Sequence, residues 1–500
     1  MKLYRHFLYH TLVLIASVCV WPVAAQTPEQ AVYYSLSEVI RLAQERSPDA
    51  MIARHRFKSS YWEYRSFKAG YLPSLSLDAK LPVFSHDIEK ITKEDGTEVY
   101  TERTLARYTA DVSLTQKIGL TGGTVFLQSG LQRLDNFYTD TSTRQFLSSP
   151  VVIGFSQPIF GYNKYKWDKK IEPLRYEEAR RLYLETNEQV ASTAISHFFN
   201  LLMAQVEKGI AFKNMANYDT LFNIAKGRFI LGKIAENELL QLELNLLRAE
   251  ASVETADLNY ENMLFTFKSY LRLKANEKIE LIPPVQNDFY SINVEEALSE
   301  ARTNTSAGIN FDRQVLEAES NLNLARMEGR FDAEINASFG LTQTSDYFRN
   351  VYLNPLDNEN VSVGITIPIL DWGQAKGRIK MAESNLELVR TSVEQSRMDF
   401  EQNIFLKVMQ FNMQKNQLKI AAKADTVAQK RFDVTQKRYM IGKVNDVLEL
   451  NNAQIDNDNA RMGYYSALKT YWNSYFEMRR LTLFDFRDKR KISVNPESVL

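Results

Sequence analysis

Hydrophobic positions along this chain follow two rhythms, and each predicts its own kind of element. Leu239, Leu242, Leu246, Ala249, Val253, Ala256, Tyr260, Met263, Phe267 and Tyr270 recur at steps of three and four. An unbroken apolar series at that spacing predicts a coiled-coil seam on a long helix. Ile404, Val408, Phe411, Leu418, Ala422, Phe432 and Tyr439 keep the same rhythm, interrupted by Lys415, Asp425 and Gln429. Residues 174–282 and 369–495 contain no proline. Proline breaks helices, so both tracts are predicted as helical hairpins. In each, the arm before a glycine turn (Gly232 or Gly442) spans about 65 residues, roughly 100 Å at 1.5 Å per residue. The arms after the turns, near 234–273 and 445–480, are much shorter. Residues 34–69 and 293–329 are predicted helices that would cover the remainder of the long arms.

Between these tracts the period changes to two. Val361, Val363, Ile365, Ile367 and Ile369 alternate with Ser362, Gly364, Thr366 and Pro368. The alternation recurs over Ile335–Leu341 and Leu75–Val83, which predicts strands with one apolar and one polar face. A further hairpin is predicted within 107–134, with its tight turn at Gly119–Gly123. On the opposite side, residues 85–106, 135–148 and 344–360 are expected to be long polar connectors. Short turns on one side, long loops on the other and alternating strands form the pattern of a transmembrane β-barrel. Four strands, or six with the extra hairpin, are too few to close one, and an open edge cannot sit in lipid. The chain is therefore expected to assemble.

The chain also contains itself twice. Val151–Phe160 answers to Val361–Leu370, and Arg228–Ile234 answers to Arg438–Val444, both at an offset of 210. One shared offset for two distant motifs is the signature of a duplicated unit. Leu36–Ile40 matches Val294–Leu298 at an offset of 258, so the first copy holds the surplus hairpin. The expected division is a signal peptide over 1–25, a first repeat over 26–273, an equatorial linker over 274–292, a second repeat over 293–480 and a tail over 481–500.

The N-terminus sets the expected compartment. Lys2 and Arg5 precede the apolar run Leu12–Val20, and Val23-Ala24-Ala25 supplies a cleavage site before Gln26. Cleavage there removes Cys19, the only cysteine, so the mature chain would be held by packing rather than disulfides. Lys plus Arg and Asp plus Glu both number 61, which leaves no basic excess to attract nucleic acid.

Candidate chemistry is sparse. Gly227–Lys233 resembles a phosphate-binding loop but has Ile234 where a magnesium-holding Ser or Thr is needed. His55, His86 and His197 are far apart, which offers neither a metal site nor a catalytic triad. No catalytic residue, metal or cofactor is expected, and the chain is not expected to be an enzyme. The glycine turns differ, because Arg, an aromatic residue, two apolar residues, Gly and Lys recur together at both. Exposed apolar residues at such a tip suggest a docking surface. Its candidates are Arg228, Phe229, Gly232, Lys233, Arg438, Tyr439, Gly442 and Lys443.

With these features the chain resembles the TolC-type outer-membrane efflux protein family. The resemblance rests on Leu36-Ser37-Glu38 through Ser47-Pro48, Gly70–Leu75, Pro158-Ile159, Pro368-Ile369, Asp371-Trp372-Gly373 and the two tip turns. It implies a mixed α/β membrane protein: a homotrimer with a single twelve-stranded barrel in outer-membrane lipid, continued by a periplasmic tunnel of coiled-coil hairpins. It implies passive export, with tips that meet a periplasmic adaptor and energy supplied by an inner-membrane transporter. It further implies carboxylates narrowing the periplasmic mouth. Glu238 fits that role in the first repeat, and Asp446 and Glu449 lie near it in the second. The competing expectation is a coiled-coil structural or adhesin-like protein of the cell surface, which would need no strand pair inside each repeat.

Overall fold

The computed structural model describes residues 32–93, 95–137, 141–284, 289–441 and 447–494. The expected signal peptide, with Cys19, lies outside them. Strand β1 (Val32–Tyr34) leads into helices α1 (Leu36–Arg46) and α2 (Pro48–Ala69). Strands β2 (Ser74–Thr92), β3 (Glu98–Lys117), β4 (Thr124–Phe137) and β5 (Ser142–Pro158) follow, then helices α3 (Lys164–Ile230) and α4 (Glu236–Leu271). After β6 (Ile279–Leu281), helices α5 (Val294–Asn304) and α6 (Ser306–Glu328) precede strands β7 (Asp332–Ser345) and β8 (Leu356–Thr366). The chain closes with α7 (Gln374–Met440), α8 (Val447–Thr482) and the short strands β9 (Phe484–Asp485) and β10 (Arg490–Lys491). Helices α3 and α7 both have 67 residues, and α4 and α8 both have 36.

Local chemistry starts these helices where the sequence changes rhythm. Ser35 and Glu38 form a reciprocal capping box at α1, and the Asn293 side chain accepts from the amides of Glu295 and Glu296 at α5. Asp371 accepts from the Gly373 and Ala375 amides, with Trp372 and Gly373 both at positive φ, and so caps α7. These two hydrogen bonds hold the Asp371 carboxyl below its ordinary pKa. The Asp-Trp-Gly motif is thus the device that turns the chain from strand to helix.

The strands form one six-stranded antiparallel sheet in the order β2-β3-β4-β5-β7-β8. The surplus hairpin lies within this sheet, as the second half of β3 and most of β4. The strands are also longer than the alternation alone indicated. Residues 85–92 pair with 98–105, so most of the expected 85–106 connector is strand. The same holds for 142–148 and 356–360. Polar side chains concealed these extensions, because backbone pairing does not require an apolar face.

The chain divides into two compact units. One holds residues up to Pro48, Val190–Phe289 and Gln417–Asn473. Its core joins Leu221, Ala225, Leu242, Phe432, Leu450 and Ala453, and β1 pairs with β6 in parallel. The predicted seam of α4 is buried or half-buried at all ten positions.

The other unit holds Asp49–Gln189, Tyr290–Asn416 and Ser474–Leu500, and so contains the whole sheet. Its helices contact in the order α2, α3, α6, α7. Phe57 stacks on Tyr183, Arg313 binds Glu178 at 2.6 Å, and Arg326 binds Glu383 at 3.1 Å. Glu185 caps α6 from outside by accepting from the Ser306 amide (2.6 Å) and hydroxyl (2.9 Å). The tail is clamped by Arg479, which donates to Glu188 (2.8 and 3.0 Å) and to Asp485 (2.9 Å). Tyr475 also donates to Asp485, so both buried carboxylates are satisfied. Burial works against the Arg479 charge, but Glu188 beside it keeps the guanidinium firmly protonated.

Candidate functional site

Two regions carry features that a water-soluble domain would not keep. The first is the sheet. Strand register places Leu77, Val112, Leu127, Ile153, Phe339 and Val361 on one face, with further apolar residues above and below them. These side chains are not covered: Leu77 is 67% exposed and Val361 75%. The opposite face carries Ser76, Asp78, Ser113, Gln128, Asn336 and Ser362. The apolar face extends across all six strands, well beyond the few hundred Å² that soluble monomers usually expose. Strands β2 and β8 border the sheet, and among the described residues each has one edge without a partner strand. Among the described residues, no helix is long and apolar enough to cross a membrane.

The second region is the end of the long hairpins, within the other unit. Gly232 has φ +68°, which lets the chain reverse after α3 and places Phe229, Ile230 and Leu231 in solvent. Arg228 points back. Its guanidinium donates to the carbonyls of Tyr439 and Met440 (both 3.1 Å) and lies 5.3 Å from the Tyr439 ring centre. It therefore caps the C-terminus of α7, where positive charge is favoured. Tyr439 is only 1% exposed and belongs to the core. The repeated motif thus splits its roles: Arg228 and Tyr439 tie the two hairpins together, and Phe229 with its neighbours faces outward.

Lys233 is exposed, and Arg438 approaches Glu449 at 4.0 Å. Gly442, Lys443 and Asp446 lie outside the described residues. Glu238 is half-buried, and its charge reaches Tyr439: burial raises the pKa of the Tyr439 hydroxyl above its ordinary value, Arg228 opposes this, and Glu238 adds a smaller push upward.

Further along α8, the polar run after Glu449 makes interhelical bonds. Tyr218 donates to Asn451 (2.8 Å), and Asn214 donates to Asp458 (2.7 Å). Burial raises the pKa of Asp458 and takes Tyr218 to about 12.

A further pattern in the sequence gains meaning only from burial. Ile420, Val427 and Val434 on α7 and Ile441 just past its end repeat every seven residues and are all exposed, as are Leu240, Leu244, Leu247, Leu258 and Phe265 on α4. Period seven without burial marks a coiled-coil stripe that none of the described residues covers. Among the described residues, no group of side chains could hold a metal ion.

Residues 333–482 match the family described as outer membrane efflux protein. No curated protein matches the chain in sequence. Solved structures do match its fold. The Campylobacter jejuni CmeC outer membrane channel is 16% identical, covering 93% of this chain and 88% of that one, with a TM-score of 0.64. CusC, described for conformational changes accompanying folding and transmembrane channel formation, is 13% identical over 93% and 95%, with a TM-score of 0.61. The open-state MtrE outer membrane channel of Neisseria gonorrhoeae is 13% identical over 92% and 91%, also at 0.61. Residues 333–482 therefore resemble the outer membrane efflux proteins in sequence, and the chain as a whole has the fold of TolC-type outer-membrane channels.

Proposed function

We propose that this protein is the outer-membrane exit duct of a tripartite efflux or type I secretion system, passively conducting substrate that an inner-membrane pump delivers through a periplasmic adaptor. The observation that carries this reading is a sheet with one exposed apolar face and two unpaired edges. Unpaired backbone N–H and C=O groups cost several kcal/mol each in lipid, so such a sheet is stable there only when its edges meet. Pairing β8 of one copy with β2 of the next satisfies both edges by one repeated head-to-tail contact, which closes into a ring. Three copies give eighteen strands, half as many again as the twelve that the family resemblance implies, and a correspondingly wider barrel. The exposed heptad stripes of α7 and α4 fit the same arrangement, in which each covers a stripe on a neighbouring copy.

The equal lengths of α3 and α7, and of α4 and α8, support duplicated halves over 26–273 and 293–480, joined by the 274–292 linker and followed by the 481–500 tail. On this reading the Gly119–Gly123 turn faces the periplasm, and the opposite ends of the strands face outward. The tips at Gly232 and Gly442 dock the adaptor, with Phe229, Lys233, Arg438 and Lys443 as contact residues and Arg228 and Tyr439 beneath them. Asp446, Glu449 and Glu238 ring the periplasmic mouth.

The test is fractionation followed by reconstitution. The protein is expected in outer-membrane fractions as a heat-modifiable trimer that conducts in planar bilayers. Replacing Asp446 and Glu449 together with Ala is expected to change conductance and cation selectivity while the trimer persists. A monomer in the soluble periplasm would refute the duct.

A further inference from the structure

We propose that a lysine-rich pocket at the periplasmic end of the sheet binds the phosphate headgroup of an anionic phospholipid. The inference rests on the outer-membrane reading above. The pocket has a volume of about 870 Å³. It lies where the end of α2, the start of α3 and the β3–β4 turn meet, and Lys68, Lys166, Lys169 and Lys170 line it together with Tyr64 and Tyr71. All four lysines are exposed, and among the described residues none lies within ion-pair distance of a carboxylate.

Two of the ammonium groups rest near aromatic faces, Lys68 at 4.5 Å from the Tyr64 ring centre and Lys170 at 5.3 Å from that of Trp167. Tyr71 is fixed by donating to the Tyr165 carbonyl at 3.0 Å. Side chains with an apolar body and a polar tip are the residues that settle at a membrane–water boundary.

Placement and charge both point to a lipid. The first turns of α3 carry Lys164, Lys166, Lys169 and Lys170 and no acidic residue in the first turn, although the helix dipole disfavours positive charge there. Only Lys164 is neutralised, by Asp168 at 2.6 Å. A phosphate in the pocket would offset the mutual repulsion of the other three and of Lys68. Leu120 stands 88% exposed on the pocket rim, and Leu72 and Leu75, also exposed, lead from it into the apolar face of β2. Acyl chains would lie along that face while the headgroup reached the lysines. A free anion would use the charge but leave Leu120 and Leu72 in water, and this is why the lipid is the favoured occupant.

The full-length protein would be reconstituted in nanodiscs of phosphatidylethanolamine, with and without phosphatidylglycerol, and assayed for trimer and conductance. Bound phosphatidylglycerol would then be counted by native mass spectrometry after release into mild detergent. The wild type is expected to retain phosphatidylglycerol over phosphatidylethanolamine. The variant combining Lys68→Gln, Lys166→Gln, Lys169→Gln and Lys170→Gln should lose that preference, on the order of fivefold in affinity per lysine near the surface. The matching set of Lys→Arg substitutions should keep it, because charge is conserved. Equal retention of both lipids by the wild type, or unchanged preference in the Gln variant, would overturn the proposal while the duct reading stood. Thermal stabilisation by inorganic phosphate without any phosphatidylglycerol preference would make the pocket a site for free anions and overturn the lipid. Failure to insert as a conducting trimer would overturn both readings.

Discussion

The sheet and the helical seam use the same apolar side chains in opposite ways. Along α4, the residues at steps of three and four are withdrawn from solvent, with Leu242 and Phe267 at 0% exposure. Across the sheet, the residues at steps of two are uncovered. Burial drives folding because it removes apolar surface from water, at about 25 cal/mol per Å². A face that remains uncovered gains nothing of this in water, so it reports the solvent in which the protein works. The seam is built for water outside and hydrocarbon within its own packing. In the proposed duct, the sheet would face hydrocarbon. The stripes on α7 and α4 lie between these cases, being helical in period yet uncovered, and in the proposed duct they would meet neighbouring copies.

The contrast breaks most sharply on the helical side at Arg479. Arg479→Ala would leave Glu188 and Asp485 buried without their cation, a change that typically costs about 3–5 kcal/mol. Thermal unfolding followed by circular dichroism in detergent should show a markedly lower midpoint. An unchanged midpoint would mean that the clamp adds nothing to stability.

On the sheet, neighbouring positions of one strand should respond in opposite ways. Leu127→Lys puts a charge on the apolar face, which costs about 2–4 kcal/mol at the middle of a bilayer, and should abolish the heat-modifiable oligomer. Gln128→Lys lies on the other face and should assemble, changing only ion selectivity in bilayer recordings. Equal tolerance of both substitutions would remove the distinction between the faces.

A smaller effect is expected at the hairpin ends. Arg228→Ala removes two charge-assisted hydrogen bonds, worth about 1.5–3 kcal/mol each in buried settings and less at this partly exposed site. Amide hydrogen exchange should rise locally in the last turns of α7 while the distant seam keeps its protection.

The smallest effect concerns pH. Burial raises the carboxyl pKa of Asp458, Glu185 and Glu188 above their ordinary values of 3.8 and 4.5. The folded state then holds these protons more tightly than the unfolded state. Their contribution to stability is fully present below the ordinary values and is lost as pH rises through the raised ones. Asp371, whose pKa is lowered, works in the other direction. The informative quantity is therefore a difference: Asp458→Asn should flatten the fall in thermal midpoint between about pH 4 and neutrality relative to the wild type. Parallel curves would mean that Asp458 does not titrate in this range.

Much of the fold was legible because periodicity is local. The seam from Leu239 to Tyr270 and the alternation from Val361 to Ile365 are each set by side chains of a single element, so they can be read before any packing is known. The equal spacing of Gly232 and Gly442 from their preceding strands was legible for the same reason. The strand extensions over 85–92 and 98–105 were not, since their polar side chains carry no alternation and only the cross-strand register reveals them. The candidate site was legible as a motif but not as a division of labour. Arg228 and Phe229 are adjacent in sequence, and only the approach of α7 decides that one becomes a cap and the other stays in solvent. By itself, then, the sequence determined where the long helices run and which strand segments alternate, because those follow from spacing along the chain. The tertiary structure alone decided that the surplus hairpin enters the sheet, which face stays uncovered and which lysines share a pocket, because those depend on contacts between residues far apart in the chain.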